Sequence, residues 1–269
     1  MNRRAALWWV WIGASIVILL AVVAVAAPWL ATHDPDAINL PHALQPPSTT
    51  YWLGTDSLGR DLYSRLVFGS RISLLVGIGA VGVAILIGVA LGLIAGWYGG
   101  WVDSLLMRGV DVMLCFPTFF LLLAIVALVG QSVANIILVI GLTGWMGVAR
   151  LVRAEALSLK EREFIQAARV LGMSDARVMW RHLLPNALSP VLVSATLGIG
   201  SAILVESGLS FLGLGVQPPT PSWGNVLIDA KGTLGVAWWQ TVFPGATILF
   251  TVLGFNLLGE GLREWLRRS

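Results

Sequence analysis

The sequence predicts an all-α membrane protein with six transmembrane helices and with both termini in the cytoplasm. Of its 269 residues, 57% are hydrophobic and only 12% are charged, whereas a soluble domain carries roughly 25% charged residues. Six apolar stretches approach the length of about 20 residues that a membrane-spanning helix needs, and the alternating segments of a β-barrel are missing. This composition argues against a disordered chain and against a water-soluble enzyme.

The six predicted spans follow from length and from scarcity of charge. The first contains a possible signal-peptidase motif at Ala24–Ala26. Its apolar run is longer than the roughly 7–15 residues of a signal peptide, so we expect it to remain as a helix. The third contains Asp111 and Pro117, which predict that its cytoplasmic end is solvated and that its axis is kinked. The spans are predicted at residues 7–30, 72–97, 109–130, 133–149, 188–209 and 240–259.

The basic residues predict the orientation of these spans. With the N-terminus inside, the 17 Lys and Arg residues divide 13 to 4 in favour of the cytoplasmic segments, as the positive-inside rule requires. The connection between the fourth and fifth spans holds seven of them, and Arg3, Arg4, Arg267 and Arg268 flank the termini. The excess of basic residues on the cytoplasmic side explains the net charge of +3, so no nucleic-acid partner is needed to explain it.

Missing motifs exclude several enzyme and cofactor classes. The only lysines, Lys160 and Lys231, do not occur in a GxxxxGK[ST] loop, so the chain cannot bind ATP in that way. It has no HExxH zinc motif and no GxSxG nucleophile elbow, which argues against an intramembrane hydrolase. The single cysteine, Cys115, excludes an internal disulfide. We therefore expect no metal and no cofactor in this chain.

The long inner connection, residues 150–184, is predicted to form two short helices joined by a turn. Gly172 suits the left-handed residue that ends a helix. Ser174 is a candidate N-cap for the second helix, which Pro185 is expected to stop.

This connection has two interpretations: an amphipathic helix lying on the membrane surface, or a docking knob for a cytoplasmic partner. In the second, Ala167 and Ala168 allow close approach of the partner, and polar contacts come from Glu163, Arg169 and Arg177.

Four runs carry a resemblance to a known family. The run Glu163–Gly172 (EFIQAARVLG), followed by His182–Asn186 (HLLPN), is similar to the "EAA" loop of ABC importer permeases, although Gln166 occupies the usual place of a glutamate. Three other runs narrow the resemblance to the "C"-type permeases of the dipeptide/oligopeptide/nickel subfamily. They are Trp52–Arg65, Glu206–Pro219 and Phe255–Arg263.

This resemblance implies a type I importer permease that works by alternating access. It implies four partners: a homologous second permease forming a heterodimer, two ATPase subunits that bind ATP and Mg²⁺, and an extracytoplasmic substrate-binding protein. Peptide and nickel substrates both remain open. The ATPase-coupling residues that it implies are Glu163, Gln166, Ala167, Ala168, Arg169, Gly172 and Pro185.

Two features inside the spans have structural and functional interpretations. Gly88, Gly92 and Gly96 form overlapping GxxxG motifs, which favour close helix packing within the chain or against the second permease. Glu206 is a carboxylate inside a span, where charges are costly. It is interpreted as a gate or substrate contact, or as a hydrogen-bond partner between helices. A rival hypothesis, an ion-coupled secondary transporter, would use Glu206 as its proton site.

The domain organisation follows from these assignments. Residues 1–71 are predicted to form an N-terminal helix and an extracytoplasmic segment, with turns near Gly54 and Gly59 that Asp–Arg pairs stiffen. Residues 72–260 form the permease domain, with a coupling loop at about 155–184, and residues 261–269 form a cytoplasmic tail. A second outside segment, 213–243, is rich in Pro and Trp and is expected to contact the binding protein.

Overall fold

Helices form most of the part of the chain that the structure describes, and the longest segment outside the α-helices is residues 31–61. A computed structural model describes residues 3–266, with side chains from Leu7 onward. These residues form twelve α-helices and no β-sheet. The helices are α1 (Arg3–Val25), α2 (Ala27–Leu30), α3 (Leu62–Tyr98), α4 (Gly100–Leu114), α5 (Thr118–Val129), α6 (Val133–Leu142), α7 (Trp145–Lys160), α8 (Glu163–Val170), α9 (Asp175–Val178), α10 (Leu184–Phe211), α11 (Trp223–Asp229) and α12 (Trp239–Leu266).

Four continuous helices and two bent pairs are long and apolar enough to cross a membrane. The continuous helices are α1, α3, the α9–α10 helix and α12. The pair α4 and α5 is bent by 84°, and the pair α6 and α7 by 42°. The first bend lies at Cys115–Pro117, where proline removes a backbone donor. The predicted all-α fold is confirmed, and the spans number six if each bent pair is one span.

The helix that contains the second predicted span begins ten residues before the predicted start of that span. Helix α3 starts at Leu62 because Asp61 caps it, accepting hydrogen bonds from the Ser64 backbone nitrogen at 2.9 Å and from Ser64 Oγ at 2.6 Å. Hydropathy placed the boundary after Arg71, since Arg65 and Arg71 interrupt the apolar run. A cap is a local hydrogen bond, so it does not depend on hydropathy.

The inner connection also differs from its prediction. Residues 150–160 belong to α7, so the connection begins later. Pro185 does not stop the second helix, which passes through a π-helical turn at Met179–Leu183 into α10. A proline ring collides with the carbonyl four residues earlier in a regular helix, and a π turn displaces that carbonyl. Asn186 Nδ2 donates to the His182 carbonyl oxygen at 2.7 Å.

The ends of the chain are described only in part. Helix α12 continues to Leu266 and includes the start of the predicted tail 261–269. Arg267 and Arg268, which contribute to the predicted charge asymmetry, lie outside the described residues, as do the side chains of Arg3 and Arg4.

The glycines of the overlapping GxxxG motifs face α7 within the same chain. A Cβ placed on Gly88 would lie 2.6 Å from Val148 Cβ, and one on Gly96 would lie 2.6 Å from Ala156 Cβ. A Cβ on Gly92 would lie 2.6 Å from the Ala149 oxygen and 2.8 Å from Val152 Cβ. Three successive turns of α3 therefore form a groove that receives three successive turns of α7.

Helix α1 packs against α12 in a similar way. A Cβ on Gly13 would lie 2.4 Å from the Leu258 nitrogen, and one on Gly261 would lie 2.7 Å from the Val10 nitrogen. These glycines let the two backbones approach closely, as small residues do in membrane helices. The N-terminal span is thereby attached to the C-terminal one.

We expect Gly92→Ala to destabilise the protein by about 1–3 kcal/mol, because its methyl group has no space between α3 and α7. Gly82→Ala, on the same helix, is the control. Its Cβ would meet no atom within 4 Å, and alanine favours a helix by about 0.5–1 kcal/mol over glycine. Thermal unfolding in detergent measures both, and equal stabilities would contradict the tight α3–α7 contact.

Candidate functional site

The inner connection folds into a compact knob, residues 163–184, at the end of α7. Helix α8 follows α7 after two residues, and Glu163 lies in its first turn. Gly172 ends the helix in the left-handed conformation, with φ of +76°. Its nitrogen donates to the Arg169 oxygen at 2.9 Å, and the Met173 nitrogen donates to the Ala168 oxygen at 3.1 Å. These bonds close the helix end in the way that glycine permits.

The apolar face of α8 packs inside the chain. Ile165 and Ala168 are buried, and Ala168 is only 5% exposed. They form one cluster with Trp97 of α3, Val152 of α7 and residues after Gly172. The prediction that Ala168 faces a partner is therefore wrong. The spacing of three residues between positions 165 and 168 puts both side chains on the same inward face.

The outward face of the knob carries a different set of residues. Val170 is 88% exposed and Leu171 is 81% exposed. Ala167, Gln166 and Glu163 are also exposed, and Gln166 Nε2 donates to the Lys160 oxygen at 3.3 Å. Val170 and Leu171, at the C-terminal end of α8, form what we call the tip of the knob. Two neighbouring large apolar side chains that are exposed in this way are typical of a contact with another protein.

Trp97 at the end of α3 anchors the knob. The Arg169 guanidinium lies over its indole ring, 4.1 Å from the ring centroid, which is the geometry of a cation–π contact. Lys160 Nζ donates to the Trp97 carbonyl oxygen at 2.7 Å. Arg169 was predicted at the rim of a partner contact, yet it contacts its own chain. Sequence reasoning missed Trp97 and Lys160, because 72 residues separate Trp97 from Arg169.

A cavity of about 210 Å³ lies among α3, α5, α6 and α10. Its walls are apolar apart from four hydroxyl side chains, and none of the lining residues is charged. The Thr143 hydroxyl donates to the Val139 oxygen at 2.8 Å, as hydroxyls in membrane helices commonly do. The hydroxyl residues are Thr118, Thr143, Ser194 and Ser201.

Glu206 is buried within the packing of α10 against the segment before α11. It is 0% exposed and does not line the cavity. Its Oε1 accepts hydrogen bonds from Ser210 Oγ at 2.7 Å and from Ser222 Oγ at 2.9 Å. Ser222 also caps α11. This geometry favours the interpretation of Glu206 as a hydrogen-bond partner between segments over its interpretation as a gate or proton site.

An ion network joins the two segments predicted to lie outside. Arg60 Nε pairs with Asp56 at 2.6 Å, and Arg60 Nη2 pairs with Asp229 of α11 at 2.8 Å. Arg65 lies 3.3 Å from both Asp56 and Asp229. Burial raises the pKa of the Asp229 carboxyl, and the charges of Arg65 and Arg60 partly offset that shift. The expected Asp–Arg pairing is present, and Asp229 is a member that the sequence pattern did not indicate.

The fold and these sites define a class of protein. It is a multi-pass helical membrane protein with an uncharged cavity between its helices and a packed helical knob at the end of α7. The chain belongs to the family described as the binding-protein-dependent transport system inner membrane component, which matches residues 88–269. Residues 8–47 match the N-terminal transmembrane domain of oligopeptide transport permease C.

Several curated proteins are similar over nearly the whole chain. A dipeptide transport system permease of Alkalihalophilus pseudofirmus is 45% identical, over 95% of this chain and 84% of that protein. A probable D,D-dipeptide transport permease of Escherichia coli is 42% identical, over 94% of this chain and 85% of that protein. A glutathione transport permease of Escherichia coli is 45% identical, over 94% of this chain and 84% of that protein. The chain is thus a permease subunit, a type of protein that is not itself catalytic.

Two solved structures share the fold. The inward-facing MetNI methionine ABC transporter matches with a TM-score of 0.60 and 19% identity, over 77% of this chain and 98% of that chain. An amino acid ABC transporter matches with a TM-score of 0.54 and 18% identity, over 77% of this chain and 93% of that chain. The predicted type I importer permease fold is confirmed.

We expect Asp56→Asn to destabilise the chain by about 3–5 kcal/mol, because Arg60 and Arg65 then share the single carboxylate of Asp229, which leaves one buried positive charge uncompensated. Asp34→Asn is the matched control, since Asp34 is exposed and its Oδ1 only accepts from the Asp36 nitrogen at 2.9 Å. Thermal unfolding of both variants in detergent measures the difference. If Asp56→Asn unfolds at the same temperature as the control, the network is not a major source of stability.

Proposed function

We propose that this chain is one of two pore-forming permeases of an ATP-driven peptide importer in the cytoplasmic membrane of a prokaryote. A homologous permease completes the pore, and an extracytoplasmic binding protein delivers the substrate. Two ATPase subunits bind ATP and Mg²⁺ and hydrolyse the nucleotide, while this chain holds no cofactor of its own. Transport then proceeds by alternating access, because the ATPases favour one permease conformation in each nucleotide state.

Two observations favour a peptide over nickel as the substrate. The similar permeases named above are described for dipeptides and for glutathione. The cavity lining has no His, Cys, Asp or Glu, which are the side chains that hold a transition-metal ion. Hydroxyl groups and apolar walls suit a peptide, which needs a few hydrogen bonds and space for variable side chains.

The exposed apolar tip of the knob supports its role as the ATPase docking site. The alternative is an amphipathic helix on the membrane surface, which would place its apolar face in lipid. In α8 the face that carries Ile165 and Ala168 packs inside the chain, so that face is not available to lipid. Val170, Leu171 and Ala167 remain available to a partner, and the anchor at Trp97 transmits force from the partner to α3.

The charge asymmetry supports the orientation with the knob in the cytoplasm. Seven basic residues lie between positions 150 and 181, close to the knob, and the positive-inside rule places such connections in the cytoplasm. The ATPase subunits would bind from the same side.

We expect a cytoplasm-specific reporter to be active when fused after Arg268, and an export-specific reporter to be active when inserted near Gln45. The physical reason is the asymmetry of Lys and Arg across the spans. Alkaline phosphatase and green fluorescent protein fusions measure the two states in cells. Reversal of either signal would contradict the proposed orientation.

We expect Leu171→Arg to uncouple the complex, because a charge at the tip has to be buried unpaired in the ATPase interface. The cost is on the order of 2–5 kcal/mol, which predicts weak ATPase copurification at normal membrane abundance. Ser158→Arg is the control: Ser158 is exposed on α7, and it receives the same charge outside the knob.

Copurification from detergent-solubilised membranes and peptide-stimulated ATP hydrolysis measure both variants. Retention of the ATPases and of full stimulation by Leu171→Arg would show that the tip is not the docking surface.

A further inference from the structure

Helix α4 is held unlike the other long helices of the protein. Its first residue, Gly100, and the preceding Gly99 have φ angles of +54° and +66°, in the left-handed region, and no atom would contact a Cβ at either position within 4 Å. It ends at the 84° break before α5. Among its 15 residues only Val110 is buried. A helix with a break in the helical path at each end and little buried surface has few contacts that oppose its movement.

Two ion pairs join α4 to α7. Arg153 makes a bidentate contact with Asp103, with Nε and Nη2 each 2.5 Å from a carboxylate oxygen. Arg150 pairs with Asp111. Bidentate arginine contacts define both distance and orientation, so α4 has to follow α7 while these pairs persist.

Helix α7 connects this pair of contacts to the knob. Its Val148, Val152 and Ala156 side chains lie in the α3 groove, which leaves the arginines free to reach α4. Only two residues separate its end from α8. At the far end of α4, the break leads into α5, whose Thr118 and Leu122 line the cavity.

We propose that Arg150 and Arg153 are positioning residues that carry movement of the knob to α4 and, through the break at 115–117, to the wall of the cavity. The inference rests on the proposed function, in which ATPase subunits move the knob. It assigns to α4 the role of a lever between the knob and the transport path. The Arg150–Asp111 pair is exposed, whereas the Arg153–Asp103 pair is partly buried. Because exposed pairs add little to stability, a merely structural role of Arg150 would leave transport unchanged. A merely structural role of Arg153 would lower stability without removing a nucleotide-dependent movement of α4.

The first experiment compares variants in the complete complex, reconstituted in liposomes with dialanine or glutathione as the probe. For Asp103→Ala and Arg153→Ala we expect normal assembly and basal ATP hydrolysis, but a loss of dipeptide-stimulated hydrolysis of about fivefold or more. Exchanging the charges, Asp103→Arg with Arg153→Asp, should restore part of the stimulation. Arg108→Ala is the control, since Arg108 makes no ion pair among the described residues and lies on the same helix.

The second experiment measures the movement itself. Cys115 is the only cysteine of the chain and is exposed at the break, so it accepts a spin label directly. A second label on Leu86→Cys, an exposed position of α3, gives the distance from the break to a rigid helix. With cysteine-free partner subunits, we expect this distance to differ between nucleotide-free and nucleotide-bound complexes. The difference should vanish when Arg150 and Arg153 are both alanine.

The outcomes separate the two proposals. A wild-type complex that shows no dipeptide- or glutathione-stimulated hydrolysis would contradict the proposed substrate, while the label distance would still test the lever. An equal nucleotide-dependent change with and without the arginines, or no change at all in the wild type, would overturn the lever. Full stimulated hydrolysis by Asp103→Ala and Arg153→Ala would overturn it as well.

Discussion

The packing of α7 into the glycine groove of α3 is the contact on which the rest of the molecule depends. Gly88, Gly92 and Gly96 have no side chain, so three turns of α7 approach the α3 backbone at distances that any Cβ would prevent. Such contacts stabilise membrane helices through close packing rather than through hydrophobic burial. They position α7, and thereby determine where the knob emerges and which face of α7 is available to α4.

The knob is built as an extension of these two helices and not as a separate unit. Ile165 and Ala168 pack against α3 and α7, while Arg169 and Lys160 hold Trp97 at the end of α3. Helix α10 leaves the knob without interruption, because a π turn accommodates Pro185. The knob is therefore joined to three helices, α3, α7 and α10, which supports the coupling role that we propose for it.

The two ends of the protein use ion pairs under different physical conditions. At the outer end, Arg65 and Asp56 are buried, so losing one partner would leave an uncompensated charge in a medium of low dielectric constant. That network holds α11 firmly against the N-terminal segment. At the inner end, Arg150 and Asp111 are exposed to more than half of their full extent. Solvent weakens such pairs, which agrees with the movement that we propose for α4.

The sequence by itself predicted the six apolar spans and the left-handed turn at Gly172, because hydropathy and glycine conformation act over a few neighbouring residues. The four family runs likewise predicted the type I permease. Only the tertiary structure decided that Ala168 faces inward, that Arg169 stacks on Trp97 and that Asp229 completes the outer network. Each of these depends on a partner from a distant segment, and a local pattern shows a side chain's helical face but not which helix covers it.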